Sequence, residues 1–233
     1  FERPLGKRVT GDHLARIRSL GMTPKRWDQL RGLYDGEVEY FDGCFAALED
    51  GLAAAGVADE TAIVVTSDHG EGLNDRDGRV GHAYGLHHEL VNVPLIVIGG
   101  GAPAAKVAAV TSNADIAPTV LELLGVAVDP RMQGMPLGAI ARTGGMPRVV
   151  ASEYGKSYAI RASKWHYVVG YDQRGTMHDL DSDPAEARAA TDPIPLRYVR
   201  DAAGIYLRHR VAWRAATWGS LNDIAPTSPL AAP

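Results

Sequence analysis

The chain has 233 residues, 45% of them hydrophobic, enough to bury one substantial core and a smaller second one. A formal net charge of -4 leaves no surplus of Lys and Arg to neutralise a phosphate backbone, which argues against general nucleic-acid binding but leaves room for a small anionic ester. The single cysteine, Cys44, excludes an internal disulfide and a Cys-rich zinc site without assigning a compartment, and no stretch is long and apolar enough to span a bilayer.

The chain opens Phe1-Glu2-Arg3-Pro4, with neither an initiating Met nor the basic-then-apolar order of a signal peptide, so further sequence upstream is expected. Short helices are predicted over the first thirty or so residues, with Thr23-Pro24 as a helix start running toward Leu33. From Tyr34 to Ala55, Val38, Phe41, Phe45, Leu48 and Leu52 recur at steps of three and four, the stripe of an amphipathic helix that Gly56 stops. Thr61 to Thr66 is a β-branched run without polar interruption, as expected of a strand buried on both faces of a parallel sheet. A second run, Val93 to Ile98, ends in three glycines and carries Pro94 at its start, where a strand tolerates it. Asn113 to Gly125 has a capping residue, an early proline and a glycine stop, and predicts a helix of about three turns.

This order of elements predicts an α/β layer with a largely parallel sheet, whose sites lie at strand C-termini. After about Gly145 the pattern changes. Arg148–Glu153, Tyr158–Arg161, His166–Tyr171 and Thr176–Leu180 are short strand-like pieces separated by turn residues, which predicts an antiparallel meander. Asp183-Pro184-Ala185-Glu186 begins a turn or short helix, Leu196 to Trp213 reads as a helix, and the last dozen residues as a loose tail. Trp165, Trp213 and Trp218 are expected to pack.

Asp68 and His69 sit where the first buried strand gives way to a glycine-containing loop, so both side chains can project into a crevice above the sheet. A carboxylate and an imidazole suit a divalent cation, and Gly70 lets backbone approach it closely. The alternative for an arbitrary Asp-His-Gly string is structural: Asp68 caps and His69 bonds within the loop. Glu71, Asp75 and Asp77 lie among Gly72, Asn74 and Gly78 and read as solvated loop acids, not ligands. Arg79 reads either as a fixed positive charge approaching an anionic substrate or as a surface residue, and His87 and His88 read as partly exposed residues.

The succession Thr66-Ser67-Asp68-His69-Gly70-Glu71, then Gly81-His82, Leu86, Glu89 and Val93-Pro94-Leu95-Ile96-Val97 resembles the sulfatase family of the alkaline-phosphatase superfamily. The resemblance extends upstream to Leu33–Val38 and downstream to Asp115-Ile116-Ala117-Pro118-Thr119, Ala159–Tyr167 and Asp179–Glu186, covering roughly residues 30 to 185. It implies that residues 1–145 are the C-terminal half of a sulfatase-like α/β core. Residues 146–233 would form the small antiparallel subdomain with its terminal helix.

It further implies that Asp68 and His69 are ligands of one divalent cation, calcium before manganese or zinc, and that His82 faces the sulfate or leaving-group oxygen. The implied activity is hydrolysis of a small anionic sulfate ester. Family members use a cysteine converted to formylglycine in a Cys-x-Pro-Ser-Arg context, with two more acidic ligands near the N-terminus. Neither is found in these residues, and Cys44, in Gly43-Cys44-Phe45-Ala46, reads as a semi-buried helix position. The expectation is therefore an inactive portion of an enzyme, with an apolar edge or face where its N-terminal half belongs. Two other readings stand beside it: a phosphodiesterase, phosphonate monoester hydrolase or phosphoethanolamine transferase of the same superfamily, and a noncatalytic remnant or binding module.

Overall fold

The computed structural model describes residues 21–76, 78–143 and 148–218. The expectations for the opening segment, Asp77, the side chains of Trp213 and Trp218 and the tail lie outside the described residues.

Helix α1, Pro24–Ala54, is continuous where the sequence predicted two helices. Thr23 caps it, its hydroxyl accepting from the Arg26 amide at 3.4 Å, and Pro24 fills the first turn, where its missing N–H costs nothing. Gly56, at φ +70°, ends it. Leu30, with Trp27 beside it, packs on Leu73 and Val80 of the hairpin made by β2, Gly72–Leu73, and β3, Val80–Gly81. The apolar stripe farther along α1 remains uncovered: Phe41 is 57% and Leu48 50% exposed. Cys44 is exposed, not semi-buried, because this part of α1 projects beyond its neighbours.

Strands β1, Ala62–Thr66, and β4, Leu95–Gly99, occupy the two predicted runs, but they pair antiparallel, Val64 opposite Val97. The expectation of a mostly parallel sheet is not met among the described residues. The described residues between 67 and 94 hold only the β2–β3 hairpin and the one-turn helix α2, His88–Val91. With no crossover helix, the chain re-enters the sheet at the end where it left. Nor is the pair buried on both faces, since Ile96 is 50% exposed.

A 3-10 turn, Asn113–Asp115, leads into α3, Ile116–Leu123, with Ser112 and Asp115 closing a capping box and Gly125 at φ +67° after the end. Helix α4, Leu137–Arg142, follows. Strands β5, Val149–Tyr154, β6, Ser157–Ala162, β7, Trp165–Val169, and β8, Gly175–Asp179, then form the predicted antiparallel meander in sequence order. Side-chain alternation gives this sheet two faces. Ile160, Ala162, Tyr167, Val169 and Met177 meet Val199 and Ala203 of α5, Pro193–Trp218, with Trp165 packed at the margin as expected. On the opposite face Ala159 and Val168 meet Leu86 and Val91, fixing the meander against the loop region that follows β1.

Candidate active site

The residues singled out in the sequence meet on one wall of an open cleft of about 740 Å³ lined by Asp68, His69, His82, His88, Arg161 and His166, among others. The loop after β1 is built to hold its shape. Asn113 Nδ2 donates to Ser67 O at 2.9 Å, Ser67 Oγ donates to His69 O at 2.6 Å, and the Gly70 amide donates to Leu90 O at 2.8 Å. Asp68 Oδ1 accepts from the His69 amide at 3.0 Å, and the rest of the carboxylate is open, the side chain being 88% exposed.

His69 Nδ1 lies 2.8 Å from the carbonyl oxygen of Gly70. A carbonyl only accepts, so Nδ1 carries a proton, and in the neutral ring Nε2, 3.7 Å from Asp68 Oδ2, is the nitrogen with a lone pair to offer. That donor pair fits a divalent cation: one hard oxygen, one imidazole nitrogen and a backbone carbonyl that fixes the tautomer. The His82 ring, reached from the end of β3, stacks on His69 with centroids 3.8 Å apart. Its Nδ1 donates to Glu71 Oε2 at 3.1 Å, leaving Nε2 available.

Glu71 is thus not merely a solvated loop acid. With His69 and His82 it forms a group whose donor atoms lie within 4.8 Å of one another. Asp75 does serve the loop, accepting from the Leu73 amide at 2.7 Å. Arg79 lies 5.5 Å over the Tyr84 ring.

Behind this wall is a buried cluster that sequence reasoning missed. Glu186 is 2% exposed and sits at φ +52°, a left-handed conformation costing a non-glycine residue about 1 to 2 kcal/mol. Its Oε2 accepts from Arg76 Nη2 at 2.9 Å and from His87 Nδ1 at 2.7 Å, while Oε1 accepts from His166 Nδ1. Arg76 also reaches Glu89 Oε1 at 2.9 Å and Glu186 O at 3.1 Å. Burial alone would raise the Glu186 carboxyl, but the bonds and charges of His166 and His87 outweigh it and hold it well below the usual carboxylate range.

His87, His178 and Glu186 bring donor atoms together in a pattern that could suit a metal. However, His178 Nδ1 donates to Arg188 O at 3.0 Å, its Nε2 accepts from Thr176 Oγ1 at 3.2 Å, and the Arg76 cation is already on the carboxylate. The chemistry is that of an ion-pair hub tying the meander to the loop region. The Asp-Pro-Ala-Glu string was the visible signal for it. Its partner Arg76 lay unmarked in an acidic loop.

Comparison with known proteins places the chain in a family: the model of the family described as Sulfatase matches residues 5–126. The chain belongs to the sulfatase family. It is similar to a choline-sulfatase of Rhizobium meliloti, 28% identical over 178 residues, which cover 72% of this chain and 34% of that one. It therefore spans about a third of the length of that curated relative. Among solved structures it is similar to BT4656 in complex with D-glucosamine-2-N,6-O-disulfate, with a TM-score of 0.65 and 22% identity over 90% of this chain and 47% of that one, a likeness of fold. It is also similar to the phosphonate monoester hydrolase SpPMH of Silicibacter pomeroyi, with a TM-score of 0.66 and 25% identity over 84% of this chain and 44% of that one. The alkaline-phosphatase-like fold follows. Among the described residues no helix of this sulfatase-family chain is long and apolar enough to cross a membrane.

Proposed function

We propose that these residues form the C-terminal part of a metal-dependent hydrolase of sulfate esters. The supporting observation is the meeting of Asp68, His69 and His82, from two separate loops, on one wall of a substrate-sized cleft in a sulfatase-family chain. In this reading Asp68 and His69 Nε2 hold one divalent cation, calcium by preference for the carboxylate, manganese or zinc if the imidazole dominates. When bound, the cation supplies positive charge to the ester oxygens. The Glu71 carboxylate holds His82 Nδ1–H, so His82 presents Nε2 to the cleft and, once protonated there, gives that proton to the departing oxygen. Glu71 is the positioning residue for His82.

The nucleophile and two further acidic ligands come from sequence outside these 233 residues, since Cys44 lies exposed on α1 in the wrong context. The chain by itself is then inert toward aryl sulfates. The remainder of the fold packs against the uncovered stripe of α1 and the β1–β4 pair, which is supported by coverage of only 47% of the BT4656 chain. Residues 1–145 belong to that larger core and 146–233 to the C-terminal subdomain.

A phosphoryl-transfer reading is favoured by one observation, the 25% identity to a phosphonate monoester hydrolase. The complete gene product, assayed against 4-nitrophenyl sulfate and a 4-nitrophenyl phosphonate monoester, separates the two. We expect the sulfate to be preferred, activity to be lost to a chelator, and His82→Asn to lower kcat/KM by about 100-fold or more. Preference for the phosphonate selects the alternative, and an unchanged His82→Asn removes the role given to that residue.

A further inference from the structure

The cleft has a second wall, made by the meander, and one of its residues has no task in the reaction above. Strand β6 turns Ile160 and Ala162 toward α5, so Ala159 and Arg161 face the other way, toward the cleft. In the sheet register Arg161 stands between Val150 of β5 and His166 of β7.

Arg161 is partly buried, yet its guanidinium makes no hydrogen bond or ion pair with any described residue. The acidic groups that act on it, Asp181 and Glu186, do so only through space, and the Glu186 carboxylate is already engaged by Arg76, His87 and His166. Five fixed N–H donors half withdrawn from water without a partner are costly to maintain, and a planar fork of this kind matches an oxyanion. Close to it, lining the same cleft from α2, lies His88. Burial, opposed by the pull of Glu186 and helped by the Arg161 charge, holds its imidazole below the ordinary 6.5, so at neutral pH it adds an uncharged donor next to a fixed cation. A volume of about 740 Å³ is far larger than one sulfate group needs and accommodates a sugar-sized ligand reaching both walls.

We propose that Arg161 is a specificity-determining residue that binds a second anionic substituent, a sulfate or carboxylate, of a substrate whose scissile ester lies at the Asp68, His69 and His82 wall. The substrate class is then a polyanionic ester, such as a multiply sulfated or uronate-bearing sugar. This assignment rests on the sulfate-ester reading of the site.

The test is binding by titration calorimetry to the complete gene product in a His82→Asn background, which keeps the ester intact, with calcium, manganese or zinc supplied in turn. The probes are D-glucosamine-2-N,6-O-disulfate and D-glucosamine 6-sulfate. The disulfate should bind about tenfold or more tightly than the monosulfate at low salt. Arg161→Met should abolish that preference while leaving monosulfate affinity unchanged, and Arg161→Lys should keep part of it as a point charge. A second readout needs no variant at Arg161. Phenylglyoxal labelling of Arg161, followed by peptide mass spectrometry, should be blocked by the disulfate and not by the monosulfate.

Metal-dependent binding of the monosulfate with no added preference for the disulfate, or a preference that survives Arg161→Met, overturns the Arg161 assignment and leaves the hydrolase reading standing. If neither sugar binds with any of the three metals, the Arg161 assignment falls, and turnover of 4-nitrophenyl sulfate by the complete gene product decides the hydrolase reading separately.

Discussion

Gly70 shows how closely the site loop is fitted to its surroundings. A Cβ built there would lie 2.1 Å from the carbonyl oxygen of Glu89 and 3.1 Å from its carbon, both backbone atoms that cannot swing aside. Gly70→Ala must therefore push the loop carrying Asp68 and His69 away from α2 and break the 2.8 Å bond to Leu90 O. We expect a loss of about 1 to 3 kcal/mol in denaturant unfolding, with weakened metal affinity in the complete gene product.

Glu186 makes the other residue-scale prediction. Removing its charge by Glu186→Gln leaves Arg76 with Glu89 as its remaining counter-ion, takes the carboxylate from the buried His166, and should cost about 1 to 3 kcal/mol. Because the folded-state carboxyl titrates below its ordinary 4.5, its stabilising contribution is complete above that value and is lost as pH falls from about 4.5 toward the folded-state pKa. Thermal melts across that acid range should show Tm of the wild type falling more steeply than Tm of the variant; parallel curves would remove Glu186 as the source.

At the scale of elements, the start of α3 is held by Asp115, which is fully buried. Its oxygens accept from the Ser112 amide at 2.8 Å and the Met135 amide at 2.8 Å, and from Arg148 Nη1 at 2.6 Å and Nη2 at 2.9 Å. One carboxylate thus joins the 3-10 turn, the approach to α4 and the residue before β5. Arg148→Met strands that charge and should cost about 3 to 5 kcal/mol. Asp115→Asn together with Arg148→Met should cost less than the sum of the single changes, read as a coupling energy in a double-mutant cycle. Additive losses would show that the pair is not the link.

At the scale of the molecule, the apolar stripe of α1 and Ile96 of β4 face solvent. A helix whose apolar residues were part of the chain's own core would lose about 3 to 5 kcal/mol on truncation of a Phe. In the 233-residue chain alone, Phe41→Lys with Leu48→Lys should leave the unfolding free energy within about 0.5 kcal/mol while reducing self-association in light scattering. A large loss of stability would mean that the stripe is buried in solution.

The same uncovered surfaces mark how much could be read from residues alone. The start and stop of α1 at Thr23-Pro24 and Gly56 and the meander from Arg148 onward rest on short-range signals, caps and alternation; Asp68 and His69 were singled out by their strand-end loop, and His82 by the resemblance to the sulfatase family. The antiparallel pairing of β1 with β4 did not follow, because an apolar run is equally compatible with either direction and only the path of residues 67–94 chooses between them. Glu71 on His82, Arg76 on Glu186 and Arg161 on the second wall were equally hidden, since a charged residue in a loop or strand carries no local mark of its distant partner. The sequence by itself determined the family and the element order, because these depend on neighbours along the chain. The tertiary structure alone decided strand direction, the buried ion-pair hub and the second wall of the cleft, because each requires groups up to 110 positions apart to share a low-dielectric space that only the completed packing creates.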